Sequence, residues 1–122
     1  MKILILDDNQ FRHTGFERKF IGHDLIHVYT AEECINKLIE LKGNFDILYL
    51  DHDLGGQEMI SSGKGTGWEV ASFISENEQY KPNGYGCIFL HSLNPAGRLN
   101  MKNKLPEALE VPFAWLASTK TV

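Results

Sequence analysis

The sequence predicts an α/β fold, with a parallel sheet covered by helices on both faces. Short apolar runs alternate along the chain with longer segments that carry helical spacing and capping residues. This alternation is typical of parallel strands joined by crossover helices. Acidic or polar residues directly follow three of the apolar runs, as expected where ligands bind at the carboxyl ends of parallel strands. A chain of 122 residues can bury a core without disulfide support, so we expect one domain over residues 1–122.

Five apolar segments are candidate strands. They lie at residues 3–6, 25–29, 45–50, 86–90 and 108–113. The first is a continuous apolar run with branched side chains, which is typical of a strand buried on both faces. Pro112 lacks an amide hydrogen, so it weakens the fifth segment and favours an edge position for it.

Two helices are predicted between the first three strands. Asp8 or Asn9 can cap the first helix, whose imperfect apolar stripe consists of Phe11, Gly15, Phe16 and Phe20. Thr30 and Glu33 form a capping box at the start of the second helix, with the glutamate reaching back towards the threonine. The apolar residues of that helix follow helical spacing and are Ala31, Cys34, Ile35, Leu38, Ile39 and Leu41.

Two more helices are predicted after the third and fourth strands. The intervening residues 51–65 are rich in glycine, and so long a loop is more often functional than neutral. Thr66 and Glu69 form a second capping box, for a helix that ends at about Glu76. Asn94 caps the last helix, with proline in its first position, and its apolar residues are Leu99, Met101 and Leu105.

Composition excludes some classes of protein. The formal net charge of −4 disfavours a general binder of duplex nucleic acid, because neutralising phosphates requires a clustered positive surface. No apolar run approaches the length of a membrane span, so we expect no membrane partner. Cys34 and Cys87 lie in apolar patterns without a paired metal-ligand spacing, which favours reduced thiols and a cytoplasmic location.

Two acidic groups predict a cation site. Asp7 and Asp8 follow the first strand, and Asp51 and Asp53 follow the third. Carboxylates that are brought together repel one another unless a cation or protons intervene, and oxygen-rich sites suit Mg²⁺ or Mn²⁺. The alternative is that Asp7 or Asp8 only caps the first helix and that Asp53 only closes a turn.

Two histidines are further candidates, His52 between the aspartates and His91 at the end of the fourth strand. A histidine can act as an acid or base or bind a metal, and the alternative for both is a structural role. His91 adjoins Ser92 and the helix start at Asn94, where free amides favour an anion such as phosphate. Arg12, one helical turn after the first acidic pair, either faces the same rim or is an exposed helix charge.

These residues resemble the response-regulator receiver domain. Receivers carry an acidic pair after the first strand, an aspartate at the end of the third that binds Mg²⁺ and accepts phosphate, and a serine or threonine at the end of the fourth. The matching residues here are Asp7, Asp8, Asp51 and Ser92. Val111-Pro112 stand where receivers have lysine-proline, so the lysine is missing, as is most of the final helix.

A more specific resemblance is to the cyclic-phosphate processing receiver domain. The motifs that carry it are Asp7-Asp8 with Arg12, Asp51 to Gly56, Thr66-Gly67, and His91-Ser92-Leu93-Asn94 with Gly97 and Met101. The resemblance spans nearly the whole chain. It implies a three-layer, receiver-like (flavodoxin-like) fold with four to five strands in the order 2-1-3-4-5 and a final helix that is reduced or absent.

The function that this resemblance implies is metal-dependent hydrolysis of a cyclic phosphate, at an RNA end or in a cyclic nucleotide. Mg²⁺ or Mn²⁺ would be held by Asp7, Asp8, Asp51 and Asp53. The catalytic residues would be Asp51, His91 and Ser92, and the phosphate or substrate would be bound by Arg12, His52, Gly55, Gly56, Thr66 and Asn94. The alternatives are non-catalytic: a signalling receiver, or a module that binds a nucleotide or a partner protein.

Overall fold

The computed structural model describes residues 1–83, 87–112 and 114–115. Five strands form one sheet in the order β2-β1-β3-β4-β5, with every neighbouring pair parallel. The strands are β1 (Lys2–Leu6), β2 (Asp24–Val28), β3 (Ile47–Leu50), β4 (Ile88–Leu90) and β5 (Leu109–Glu110). The predicted α/β class and the strand order 2-1-3-4-5 are confirmed, and β5 lies at an edge.

Four α-helices connect these strands: α1 (Gln10–Lys19), α2 (Ala31–Leu41), α3 (Gly67–Glu76) and α4 (Pro95–Lys104). Three of them begin at side-chain caps that the sequence predicts. The side chain of Asn9 accepts from the amide of Arg12, Thr30 accepts from the amide of Glu33, and Asn94 accepts from the amide of Gly97. Each cap satisfies an amide that has no partner within its helix, which is why these helices begin there.

The helices cover both faces of the sheet, because successive strand side chains point to opposite faces. On one face, Leu4, Leu6, Leu48 and Leu50 pack with α2, α3 and α4 in the larger buried cluster. On the other face, Ile3, Ile5 and Tyr49 pack with Phe16 of α1 and with Phe20. The three-layer arrangement is therefore confirmed.

The register of the sheet sets the level at which each strand ends. Leu6 of β1 lies beside Leu50 of β3, and Leu50 lies beside Leu90 of β4. The residues that follow these strands therefore emerge at the same edge. This is also where the strand order reverses, since β1 lies between β2 and β3.

Some predictions about the helices are wrong in detail. Phe11 is 87% exposed, whereas His13 is buried, so the stripe on α1 includes a histidine in place of a phenylalanine. Ile39 and Leu99 are also exposed. The predicted capping box at Thr66 does not form, because its hydroxyl oxygen accepts from the amide of Gly63 at 3.2 Å and not from an amide of α3.

The last three strands are shorter than their apolar runs predict, whereas β1 and β2 match the predicted bounds to within one residue. β3 begins at Ile47, because the carbonyl of Phe45 accepts from Asn83 outside the sheet. β5 is limited to Leu109–Glu110. The first residue of the predicted fourth strand and most residues after Pro112 lie outside the described ranges, and with them the prediction of a reduced final helix. Among the helices described, none has the length and apolar character needed to cross a membrane.

Candidate functional site

The carboxyl ends of β1 and β3 bring three aspartates together. Asp7 follows β1 and Asp51 follows β3, and the amide of Asp51 donates to the carbonyl of Leu6 at 3.0 Å. This hydrogen bond extends the ladder by one residue and holds both aspartates at one edge. Carboxylate oxygens of Asp7, Asp8 and Asp51 all lie within 4.8 Å of one another. We call these three residues the aspartate cluster.

Arg12 lies against the whole aspartate cluster. Its Nε donates to Oδ2 of Asp7 at 2.6 Å. Its Nη2 lies 3.4 Å from Oδ2 of Asp51 and 3.6 Å from Oδ1 of Asp8. The cap at Asn9 starts α1 so that Arg12 falls in the first turn, and the guanidinium faces this rim instead of open solvent.

Asp7 is fully buried, and both of its carboxylate oxygens accept hydrogen bonds. Oδ1 accepts from the amide of Asn9 at 2.8 Å, and Oδ2 accepts from Arg12 and from Nε2 of His91 at 2.8 Å. Burial raises the pKa of Asp7, but the hydrogen bonds and charges of His91 and Arg12 outweigh it. The pKa of Asp7 is therefore lower than its ordinary value.

His91 lies behind Asp7 and away from solvent. The residue is 1% exposed, and its ring meets that of Phe16 edge-on at a centroid distance of 5.4 Å. The cleft described below is lined by Ser92 but not by His91. His91 therefore reaches any ligand of this site only through Asp7.

Asp51 is also buried, but it has weaker contacts with positively charged groups than Asp7 has. Oδ1 accepts from the amide of His52 at 2.9 Å, and the contact of Oδ2 with Arg12 is longer, at 3.4 Å. Burial raises the pKa of Asp51 most, the negative charge of Asp7 adds to the effect, and Arg12 and the His52 amide offset only part of it. The pKa of Asp51 rises from 3.8 to about 8, so without a bound cation this carboxyl group holds a proton at neutral pH.

The loop after β3 is built on a buried histidine. His52 is fully buried, with Nδ1 2.7 Å from Oδ1 of Asp53 and Nε2 2.8 Å from the hydroxyl of Ser62. A Cβ atom added to Gly97 would lie 2.4 Å from the ring of His52. Only glycine fits α4 at this position, and the structure places His52 where it supports the loop and does not reach a ligand.

Asp53 is tied into the same network. Oδ1 also accepts from Nδ2 of Asn94 at 3.0 Å, and Oδ2 accepts from the amide of Met59 at 2.6 Å. Burial raises the pKa of Asp53, but hydrogen bonds from His52, Asn94 and Met59 outweigh it, so the pKa is lowered. Nδ2 of Asn94 donates also to the carbonyl of Ile60 at 2.9 Å. Asp53 is not part of the aspartate cluster, and Asn94 joins the loop to the start of α4.

The two glycines after Leu54 are separated by the structure. Both have a φ of +77°, in the left-handed region that favours glycine. The amide of Gly56 donates to Oδ2 of Asp8 at 2.6 Å, whereas Gly55 lines a second cleft, of about 640 Å³, beside Lys64. Thr66 is bonded to Gly63 and lines neither cleft.

Gly67 provides a second close approach. A Cβ atom at this position would lie 1.9 Å from the carbonyl oxygen of Asp51. The amide of Gly67 donates to the carbonyl of His52 at 2.9 Å, so the start of α3 lies directly on the end of β3. Within the motif Thr66-Gly67, it is therefore the glycine that the packing of α3 on β3 requires.

Asp8 and Asp51 of the aspartate cluster face a cleft of about 200 Å³. Its predicted members are Asp8, Arg12, Asp51, Asp53, Gly56 and Ser92. Residues that the sequence analysis did not identify also line it: Asn9, Gln57, Glu58, Met59 and Leu93. The sequence pattern identifies Asn9 only as a cap and Leu93 only as a spacer within a motif. The three loop residues follow no pattern that would have identified them.

The donor set of the cluster fits a hard divalent cation. Three carboxylates offer oxygen ligands, which Mg²⁺ and Mn²⁺ prefer. With all three carboxylates ionised, Arg12 would balance one negative charge and leave an excess; at Asp51 burial raises the pKa most, and the charge of Asp7 adds to it. A divalent cation would neutralise this excess.

Comparison with known proteins agrees with the fold. The family model described as the cyclic-phosphate processing receiver domain matches residues 2–107. No curated protein matches the chain.

Among solved structures, the chain is 18% identical to the signal receiver domain of a modulated diguanylate cyclase from Desulfovibrio desulfuricans G20, with a TM-score of 0.64 over 91% of this chain and 79% of that chain. It is 17% identical to a two-component response regulator of the LuxR family from Aurantimonas sp. SI85-9A1, with a TM-score of 0.64 over 99% and 88%. It is 19% identical to the N-terminal domain of a response regulator receiver protein from Methanoculleus marisnigri JR1, with a TM-score of 0.63 over 91% and 82%. Likeness at these identities establishes the fold alone.

Proposed function

Because the chain belongs to the family of cyclic-phosphate processing receiver domains, we propose that it hydrolyses a cyclic phosphate, in a cyclic nucleotide or at an RNA end, with a divalent cation. One observation carries this proposal: Asp8 and Asp51 of the aspartate cluster share the wall of an open cleft with Arg12, and Asp7 is buried behind that wall. The cluster suits Mg²⁺ or Mn²⁺, and the guanidinium suits a phosphate oxygen. The buried thiol of Cys34 fits the cytoplasmic location that we propose with it.

The cation would be held by Asp7, Asp8 and Asp51. Bound there, it would supply positive charge next to the phosphate and favour attack by water at neutral pH. Water adds across one ester bond: its oxygen forms a new bond to phosphorus, one ester P–O bond breaks, and the departing alcohol oxygen takes up a proton. The product is a phosphomonoester.

Of the proposed site residues that line the cleft, we assign three to contact with the substrate. Arg12 presents its guanidinium, and we assign it to a phosphate oxygen. The hydroxyl of Ser92 is the second donor in our proposal. We assign Asp51 as the catalytic carboxylate, because it lines the cleft and would hold the cation next to the phosphate.

The remaining residues are positioning residues in this proposal. His91 orients Asp7 from behind. His52, Asp53 and Asn94 hold the loop after β3 against α4. Gly55, Gly56 and Thr66 shape the same loop, and of these only Gly56 touches the aspartate cluster.

The test is hydrolysis of a panel of phosphates with and without Mg²⁺ or Mn²⁺. The panel contains 2′,3′-cyclic and 3′,5′-cyclic mononucleotides and an RNA oligonucleotide with a 2′,3′-cyclic end, with ³¹P NMR to detect the monoester. We expect metal-dependent product with the wild type and with Asp24→Asn, an exposed aspartate of β2 that serves as the control. Asp51→Asn should abolish it. A lack of product from the entire panel with either metal would refute hydrolysis.

The fold supports a second candidate function, a signalling receiver phosphorylated on an aspartate. Asp51 directly follows β3, the position of the phosphate-accepting aspartate in receivers, and the structures with similar folds include signalling receivers. Incubation with acetyl phosphate and intact-mass measurement tests it. A gain of one phosphoryl group that is lost in Asp51→Asn would favour this function. Stabilisation by a cyclic nucleotide without turnover would instead favour a binding module.

A further inference from the structure

Arg12 uses the same carboxylates that would hold the cation. Its Nε and Nη2 atoms span Asp7 and Asp51 at 2.6 Å and 3.4 Å, and Nη2 is also near Asp8 at 3.6 Å. Among the described residues that line the cleft, Arg12 carries the basic side chain, whereas Asp8, Asp51, Asp53 and Glu58 are acidic. The guanidinium is therefore the local counter-charge of the cluster.

The carboxylate oxygens that a divalent cation would bind already accept hydrogen bonds. On Asp7, Oδ1 accepts from the amide of Asn9, and Oδ2 accepts from both Arg12 and His91. The amide of Asn9 is fixed by the backbone, and His91 is fixed by burial. Arg12 stands on a long side chain that is 24% exposed. Of these three donors, Arg12 is the one with space to move away.

We propose that Arg12 is an internal counter-cation that competes with the divalent cation for the aspartate cluster. Entry of the cation and release of the guanidinium from Asp7 and Asp51 are then one coupled event. The released side chain stays at the cleft, where the proposed substrate phosphate would lie. This inference rests on the metal site of the proposed function, but not on turnover.

A fixed scaffold is the other explanation of the same contacts. In that case Arg12 would hold the aspartates in place for the metal, and its removal would weaken metal binding. The two explanations predict opposite signs for one measurement. Removing a competing charged hydrogen bond should tighten Mg²⁺ binding by roughly tenfold or more.

The experiment is a calorimetric titration of the metal-free protein with MgCl₂ and with MnCl₂, without substrate. Wild type is compared with Arg12→Gln and with Arg18→Gln, which removes an exposed arginine from the same helix. We expect a lower dissociation constant for Arg12→Gln and no change for Arg18→Gln. A dissociation constant that is unchanged or higher in Arg12→Gln overturns the proposal, as does a lack of metal binding by both wild type and Arg12→Gln.

A second measurement covers the case in which Arg12→Gln fails to fold without metal. Circular dichroism during the same titration should then show that Mg²⁺ restores the fold, because the cation replaces the missing charge. Failure of Mg²⁺ to restore it would overturn the proposal.

In the wild type, the ¹⁵Nε signal of Arg12 should shift on addition of Mg²⁺, while those of Arg18 and Arg98 stay in place. An Arg12 signal that keeps its metal-free position when metal is bound would refute release. None of these measurements uses the cyclic phosphate, so they distinguish a failure of this inference from a failure of the proposed hydrolysis.

Discussion

Asp51→Asn should stabilise the metal-free protein even though it removes a proposed catalytic residue. Asp51 is 2% exposed, and it lies beside the negative charge of Asp7 with only a 3.4 Å contact to Arg12. Asparagine has nearly the same shape, and its amide oxygen can still accept from the amide of His52. The substitution removes the ionisable group and leaves the packing in place.

The magnitude follows from the raised pKa of Asp51, from 3.8 to about 8. Above pH 3.8 the unfolded chain releases this proton while the folded protein keeps it. The free energy of unfolding therefore falls as the pH rises through this interval and stops falling above about pH 8. Each pKa unit corresponds to about 1.4 kcal/mol, so the loss at pH 7 is about 4 kcal/mol. Asparagine does not titrate and avoids this loss.

The assay is urea unfolding in EDTA across this pH range for wild type, Asp51→Asn and the exposed control Asp24→Asn. Asp51→Asn should equal the wild type near pH 4 and exceed it by about 4 kcal/mol at pH 7, while Asp24→Asn follows the wild type throughout. Excess Mg²⁺ should stabilise the wild type but not Asp51→Asn. Equal free energies of unfolding for wild type and Asp51→Asn at pH 7 would refute the reasoning from burial and charge.

Three more predictions concern the same structure. The apparent affinity for Mg²⁺ should weaken up to tenfold per pH unit below about pH 8, because Asp51 must lose its proton to bind the cation. Calorimetric titration between about pH 6 and 9 checks this. An affinity that is constant over this range would contradict it. Gly67→Ala should lower the free energy of unfolding by about 1–3 kcal/mol or more, because the new Cβ would lie 1.9 Å from the carbonyl oxygen of Asp51. Gly63→Ala is the matched control, because nothing lies within 4 Å of a Cβ at that position. Equal effects of the two substitutions would argue against this close packing. Thr30→Ala should cost about 1 kcal/mol through loss of the α2 cap, measured against Thr14→Ala within α1, and an effect no larger than that control would contradict the capping role.

Local chemistry explains which elements were predictable. Asn9, Thr30 and Asn94 start their helices because a short polar side chain satisfies a nearby amide, and this depends on residues only three positions apart. Thr66 has the same pattern, yet its hydroxyl bonds to Gly63 in the preceding turn. The failure at Thr66 has a physical reason: two partners within reach compete for one hydroxyl, and the loop conformation selects between them.

The candidate site was predictable in outline but not in the orientation of its parts. Asp7 and Asp51 follow buried strands, and parallel strands end at a common edge, so their proximity follows from the pattern alone. His91 occupies an equivalent position in sequence, but it lies behind Asp7 against Phe16. Whether a strand-end residue faces the cleft or the core depends on the helix packed above it, and α1 is distant from His91 along the chain.

By itself the sequence determined the α/β class, the caps of α1, α2 and α4 and the carboxylates after β1 and β3, because these depend on near neighbours and on hydrophobic periodicity. It also carried the spaced motifs that identify the family. Only the tertiary structure decided that Arg12 bridges the aspartate cluster, that His52 and Asn94 hold a loop, and that Met59 and Leu93 line the cleft. These roles depend on contacts between remote segments, such as the 84 positions that separate Asp7 from His91. No local pattern encodes such contacts, because they form only when the sheet and its helices pack together.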